Sequence, residues 1–196
     1  PAGFSEDDFI QLRSFEARIK VLPLLRKKIE ISRFVVGGLS VNLEKNSSGH
    51  GNWERAGKAG NSKDVQPPSS WARNFFSEDL AIALLAVTDG YVQWHDRTRN
   101  TEYRVEDIML LINDFSHGAP FSVDCKASFN GKPLAVDGQV GPLLEKDKRL
   151  ELPVNLTFSL VNKLLGQVQG KLTQLDQTPR WDLFLDLSPF SPRELY

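Results

Sequence analysis

The feature that most constrains this chain is an alternation of period two. In "FSVDCKASFN", Phe121, Val123, Cys125, Ala127 and Phe129 fall on one side, and Ser122, Asp124, Lys126, Ser128 and Asn130 on the other. That period belongs to a strand with one buried face and not to a helix. "NGK" follows, and "PLAVDGQVG" then puts Leu134, Val136 and Val140 in phase. Asn130 and Gly131 both tolerate positive φ, so a type I′ hairpin is predicted here. The rhythm recurs in Phe15, Ala17, Ile19 and Val21, in Leu39, Val41 and Leu43, and in Leu156, Phe158 and Leu160. It recurs again in Trp181, Leu183, Leu185 and Leu187, where Phe184 interrupts the polar side.

"VTDGYVQWHDRTRNTEYRVEDIMLLI" reads as a strand, a polar turn at 96–101 and a return strand, with Gly37-Gly38 and Asp89-Gly90 suited to bends or bulges. Helical patterning is thin. "LPLLRKK" suits a single turn, a short helix fits near 69–76, and a strand is expected from about residue 9 in preference to a helix starting at Ser5. Eight or nine strands in sequence-adjacent pairs predict a mainly β fold. The expected form is a curved antiparallel sheet, open as a groove or closed as a sandwich, with one or two short helices. Residues 45–79 fit none of these forms, since structureless loops of that length are uncommon. Trp53 stands inside this polar, glycine-rich stretch. It is either an anchor that pins the loop to the sheet or an exposed recognition platform. Burial on the sheet is the expectation, with Asn52 bonding local backbone as in an Asx turn.

At 196 residues and 40% hydrophobic, the chain fits one domain with a sizeable core, a single module over 1–196. It opens on Pro1, which suggests a fragment of a longer protein. Its 24 basic and 25 acidic residues leave a net charge of −1, without the basic stripe of a nucleic-acid binder. One cysteine, Cys125, excludes an internal disulfide and reads as a small buried hydrophobe. No segment reaches the length of a membrane span.

Chemistry-bearing constellations are sparse. His50, His95 and His117 stand singly, without a second ligand at metal spacing. His95-Asp96 reads as strand-end turn chemistry, and the alternative acid–base pair lacks a nucleophile. "GHGNW" and "GKAGN" match no phosphate-binding fingerprint. The expectation is a non-enzymatic chain with no catalytic residue, metal or cofactor.

Three segments carry a resemblance. "KVLPLLRKKIEISRFVVGGLSVNLEKNSSGHGNWE", "VTDGYVQWHD" and "DLFLDLSPFSPREL" resemble the AsmA family of bacterial envelope proteins. The positions that carry it are Pro23, Gly49, Gly51, Asn52, Trp53, Asp89, Gly90, Trp94 and Asp96. The resemblance implies a protein held in the Gram-negative inner membrane by an N-terminal helix missing here, with this module on the periplasmic side. It implies a long curved sheet with an apolar groove, similar to bridge-like lipid-transfer proteins. The implied roles are outer-membrane assembly, protein targeting to membranes, and phospholipid movement between the inner and outer membranes.

The groove residues expected from the in-phase strands are Phe15, Ile19, Leu39, Val41, Val123, Phe129, Val136, Leu156, Phe158, Leu183 and Leu185. A phospholipid or other acyl lipid is the expected ligand, and a second copy of the fragment a candidate partner. The competing reading is a structural β-sandwich that binds a protein; an enzyme ranks below both. Periodicity does not separate groove from sandwich, because the strand pattern is the same in each.

Overall fold

In the computed structural model, which describes residues 4, 5, 8–56, 79–146, 149–161, 163–175 and 178–189, the described strands all fall in one sheet. They are β1 (Ile10–Ile19), β2 (Ile29–Lys45), β3 (Leu80–Asp96), β4 (Thr101–Ser116), β5 (Phe121–Phe129) and β6 (Lys132–Val140). The short β7 (Leu144–Lys146), then β8 (Arg149–Leu160), β9 (Lys163–Leu175) and β10 (Thr178–Leu187), complete it. Spatial order follows chain order from β1 to β10, with β7 paired to β8 beside the path. β1 and β10 lie at opposite ends, so the sheet is open and the sandwich alternative is set aside. Two helices of four residues each, α1 (Val21–Leu24) and α2 (Trp53–Ala56), are the helical content among the described residues.

The hairpin expected at Asn130-Gly131 forms, with φ of 47° and 78°, both positive as a type I′ turn requires. The β3–β4 turn falls at residues 97–100, as the polar run predicted. Two expectations fail. Val21 does not continue β1; with Pro23 at its third position, the segment turns into α1. And not every pair of neighbours is a hairpin, since β2 and β3 run parallel. A parallel pair needs a crossover of a dozen or more residues. The stretch 46–79 is that crossover, which accounts for its awkward length. The helix expected near 69–76 lies outside the described residues.

Among the described residues the sheet forms a single layer, with no second layer packed against its apolar face. Among the described residues only Ile82, Ala86, Phe115 and Phe121 are buried hydrophobics. Ile82, Phe115 and Phe121 form a small cluster, joined by Ile31, Phe34, Ile112 and Val123 around it. The Phe115 and Phe121 rings meet at 5.2 Å. A compact monomer of 22.0 kDa is expected to expose about 9,300 Å². This chain exposes 13643 Å².

Candidate functional site

Residues directly opposite in a ladder share a face of the sheet. From β5 outward, Cys125 faces Val136, which faces Phe158, while Val123 faces Gly138 and then Leu156. Leu156 continues to Val168 and Leu185, and Val154 to Gly170 and Leu183. In the other direction Cys125 leads through Leu110, Val87 and Val36 to Phe15. Phe129 leads through Val105, Val92 and Val41 to Ile10. Leu39 and Ile19 join the same side by their pairing with Leu12 and Ile31. The register therefore brings all eleven expected groove residues onto one face. That face runs without interruption from β1 to β10.

Strict alternation alone would not achieve this. Strands of 16 or 17 residues spanning both ladders would fall out of phase, because Val36 and Val41, or Val105 and Leu110, are an odd number of residues apart. Two lines of bulges restore the phase. One crosses β2, β3 and β4 at Gly38, Asp89 and Asp107, with φ of 64°, 51° and 52°. In β1 the Arg13 side chain lies over Gly38 and reaches Asp89 at 3.7 Å. The second line passes between Ile31 and Phe34, between Ile82 and Leu85, and through Asp114 at φ 60°. It returns Ile82 and Phe115 to the side of Phe121. A bulge adds one residue to a strand and so shifts every later side chain to the other face.

Exposure along the face is graded. Phe15 is 70% exposed at one edge and Trp181 62% at the other. Val123, Val136, Leu156 and Phe158 in the middle are half-buried by their neighbours. Tyr103 stacks on Phe129 at 6.1 Å. The opposite side of β5 and β8 carries Ser122, Asp124, Lys126, Asn155 and Thr157. Phe184 is the exception expected there, on the polar side of β10 and exposed.

One end of the face is closed by the segment after β2. Beyond Phe9, whose carbonyl accepts from the Asn42 N–H at 2.9 Å, the strand no longer covers the edge of β2. Asn52 takes its place: its side-chain Nδ2 donates to the Asn42 carbonyl at 2.7 Å, and its Oδ1 accepts from the Glu44 N–H at 3.0 Å. Its own N–H donates to the Glu44 carbonyl at 2.8 Å. The side-chain amide thus copies a strand backbone and bonds residues of β2, where an Asx turn was expected. Trp53 folds back onto the sheet and meets Trp94 at 5.1 Å. It also lies against Gly51, where an added Cβ would come within 2.3 Å of the indole. It is half-buried, where it was expected to be largely buried, because the described sheet covers only one side of the ring.

Two carboxylates are buried at this end. Glu44 accepts from the Ser5 N–H at 2.8 Å and is paired with the Arg97 guanidinium. Burial raises its pKa, but the Ser5 hydrogen bonds and Arg97 outweigh that and hold the carboxyl below its usual range. Asp96 accepts from the Thr98 hydroxyl at 2.5 Å and from the Thr98 and Arg99 N–H groups. Its pKa is lowered chiefly by that hydroxyl. Asp96 thus performs the turn chemistry expected of it. His95 precedes it on the strand and pairs with Glu102 across the ladder. Among the described residues no group of three His, Cys, Asp or Glu converges at metal-binding distance.

The AsmA family pattern matches residues 1–177. The chain belongs to the AsmA family. No curated protein and no solved structure matches it. AsmA proteins are bacterial envelope proteins, so membership is consistent with envelope biogenesis or lipid transport. Among the described residues of this AsmA chain, no helix is long and apolar enough to cross a membrane. The nine positions on which the resemblance was read divide by place in the fold. Gly51, Asn52, Trp53, Trp94 and Asp96 build the closed end; Asp89 and Gly90 form a bulge; Pro23 lies in α1; and Gly49, at φ 83°, turns the chain back toward β2. The sequence reading missed Glu44 with Arg97, and the bulges at Asp107 and Asp114. A break in alternation at "RVEDIM" and "INDF", each centred on an aspartate, is the trace they leave.

Proposed function

We propose that this chain is a non-enzymatic envelope module that holds acyl chains of phospholipids on its apolar sheet face. One observation carries the reading: a continuous apolar surface from β1 to β10 that no second layer covers among the described residues, ringed by exposed Phe15, Leu12, Trp181 and Leu185. A face this large is not stable in water unless something occupies it. Acyl chains suit it because they need no directional contact. Burial contributes roughly 0.8 kcal/mol per CH₂, on the order of 10 kcal/mol gross for one chain. The long axis of such a sheet gives a path along which lipid moves between the inner and outer membranes. Outer-membrane assembly and protein targeting to membranes are proposed as consequences of that supply. The proposed setting is the periplasmic side of the Gram-negative inner membrane, with a membrane anchor elsewhere in a longer protein.

A second reading is favoured by the open edges. Among the described residues, β1 and β10 each present an unpaired row of backbone groups beside exposed apolar side chains, which suits pairing with a second copy. The two readings separate experimentally. Organic extraction of the pure protein, followed by mass spectrometry, should release phospholipid if the face is a groove. The double variant Val123→Glu, Phe158→Glu should keep its β circular-dichroism spectrum and lose that lipid. A folded wild-type protein that yields no lipid, and is dimeric instead, would favour the second reading.

A further inference from the structure

The tip of the β1–β2 hairpin carries a second apolar surface that does not belong to the sheet. Val21, Leu22 and Leu25 are 71%, 79% and 81% exposed, and no residue of α1 is buried. Four exposed aliphatic positions in five residues, counting Leu24, are not a loop's ordinary composition. They are followed at once by Arg26, Lys27 and Lys28, all exposed. None of these three forms an ion pair with a described residue, while the neighbouring Lys20 is held by Glu30 at 3.0 Å. Three uncompensated cations in a row stand out in a chain whose net charge is −1.

The tip is also closed by its own backbone hydrogen bonds. The Lys28 N–H donates to the Pro23 carbonyl at 3.1 Å and the Lys27 N–H to the Leu24 carbonyl at 3.0 Å. This is the Schellman arrangement that closes a helix, and its left-handed position is normally glycine. Here it is Lys27, at φ 60°. The fold would be easier with glycine; the chain keeps a charge there.

We propose that this tip docks on an anionic phospholipid surface. Leu22 and Leu25 enter the boundary between headgroups and acyl chains, and Arg26, Lys27 and Lys28 lie at the depth of the phosphates. An apolar face beside a basic rim is the composition that binds such an interface. Docking there sets Ile19 and Ile31, at the end of the sheet's apolar face, next to the bilayer. The proposal goes beyond the acyl-chain reading and stands without it, since the tip lies outside the face.

Sedimentation of the full chain with vesicles tests it. The protein is expected to pellet with phosphatidylcholine vesicles containing phosphatidylglycerol, far less with phosphatidylcholine alone, and less as salt rises. Lys27→Gly is expected to keep or raise the melting temperature while weakening vesicle binding about fivefold, the effect of one charge near an anionic surface. Leu22→Ser with Leu25→Ser is expected to abolish binding without lowering the melting temperature. Equal binding to both vesicle types would overturn the proposal, as would wild-type binding by the tip variants. Absence of wild-type binding to either vesicle would also overturn it and leave the tip to a protein partner. Lipid extraction from the pure protein reads the groove independently, so the two ideas fail separately.

Discussion

Asn52→Ala probes how the closed end of the sheet is held. The side chain satisfies the Asn42 carbonyl and the Glu44 N–H, two backbone groups of β2 that β1 no longer reaches. Truncation leaves both without a protein partner. The site is only partly buried, so water recovers some of the loss and each group costs about 1 kcal/mol, the low end of the range for an unsatisfied buried group. Loosening of the segment also frees Trp53 from Trp94, an aromatic contact that contributes about 0.5–1.5 kcal/mol beyond its area. The sum is about 2.5–3.5 kcal/mol. For a chain of this size that lowers the melting temperature by about 5–14 °C. Thermal unfolding followed by tryptophan fluorescence and by circular dichroism reads both parts. The fluorescence change should precede the loss of β signal, because the indole contact lies downstream of the broken bonds. A variant that melts within about 1 °C of wild type would refute the claim that Asn52 substitutes for a strand.

Other perturbations follow the same logic. Gly170→Ala should destabilise by about 3 kcal/mol in chemical denaturation, because φ is +147° and an added Cβ would lie 2.1 Å from the Asp182 carbonyl oxygen; a change below about 0.5 kcal/mol would contradict that close approach. Glu44 and Asp96 have folded pKa values lowered from 4.5 and 3.8, so the stability they add is complete above those values and is lost as pH falls through the lower folded ones; a pH series of melts should show this acid limb, and Glu44→Gln should flatten it. Cys125, half-buried on the apolar face with its thiol pushed up by burial and then by Asp124, should react slowly with a thiol reagent and speed up in denaturant. Fast labelling of the native protein would mean that β5 is slipped by one residue.

What was legible in the sequence was whatever depended on local alternation. The faces of β5, β6, β8 and β10 follow from residues two apart, and Asn130-Gly131 names its own turn. The long strands were harder. Their apolar side is continuous because Gly38, Asp89, Asp107 and Asp114 adopt left-handed backbone; adjacent glycines marked the first two, but at Asp107 and Asp114 an aspartate tolerates that conformation without announcing it. Without those bulges Phe115 reads as belonging to the polar side, so the small buried cluster it forms with Ile82 and Phe121 was not foreseen. The parallel β2–β3 pairing was hidden because neither strand encodes the direction of its neighbour; only the length of 46–79 hinted at a crossover. Trp53 was legible as a residue that must go somewhere, but its partner Trp94 lies 41 residues on and is fixed by that same pairing. Exposure of the tip at Leu22 and Leu25 was illegible because "LPLL" reads equally well as core.

The central claim is that lipid lies on one face of the sheet and not on the other. Phe158 and Thr157 are adjacent in β8, and their partners Val136 and Asp137 place them on opposite sides. A photo-crosslinking amino acid at position 158 should capture phospholipid, identified by mass spectrometry of the adduct. The same amino acid at position 157 should capture none. Equal capture at the two positions, or capture at 157 alone, would contradict the account.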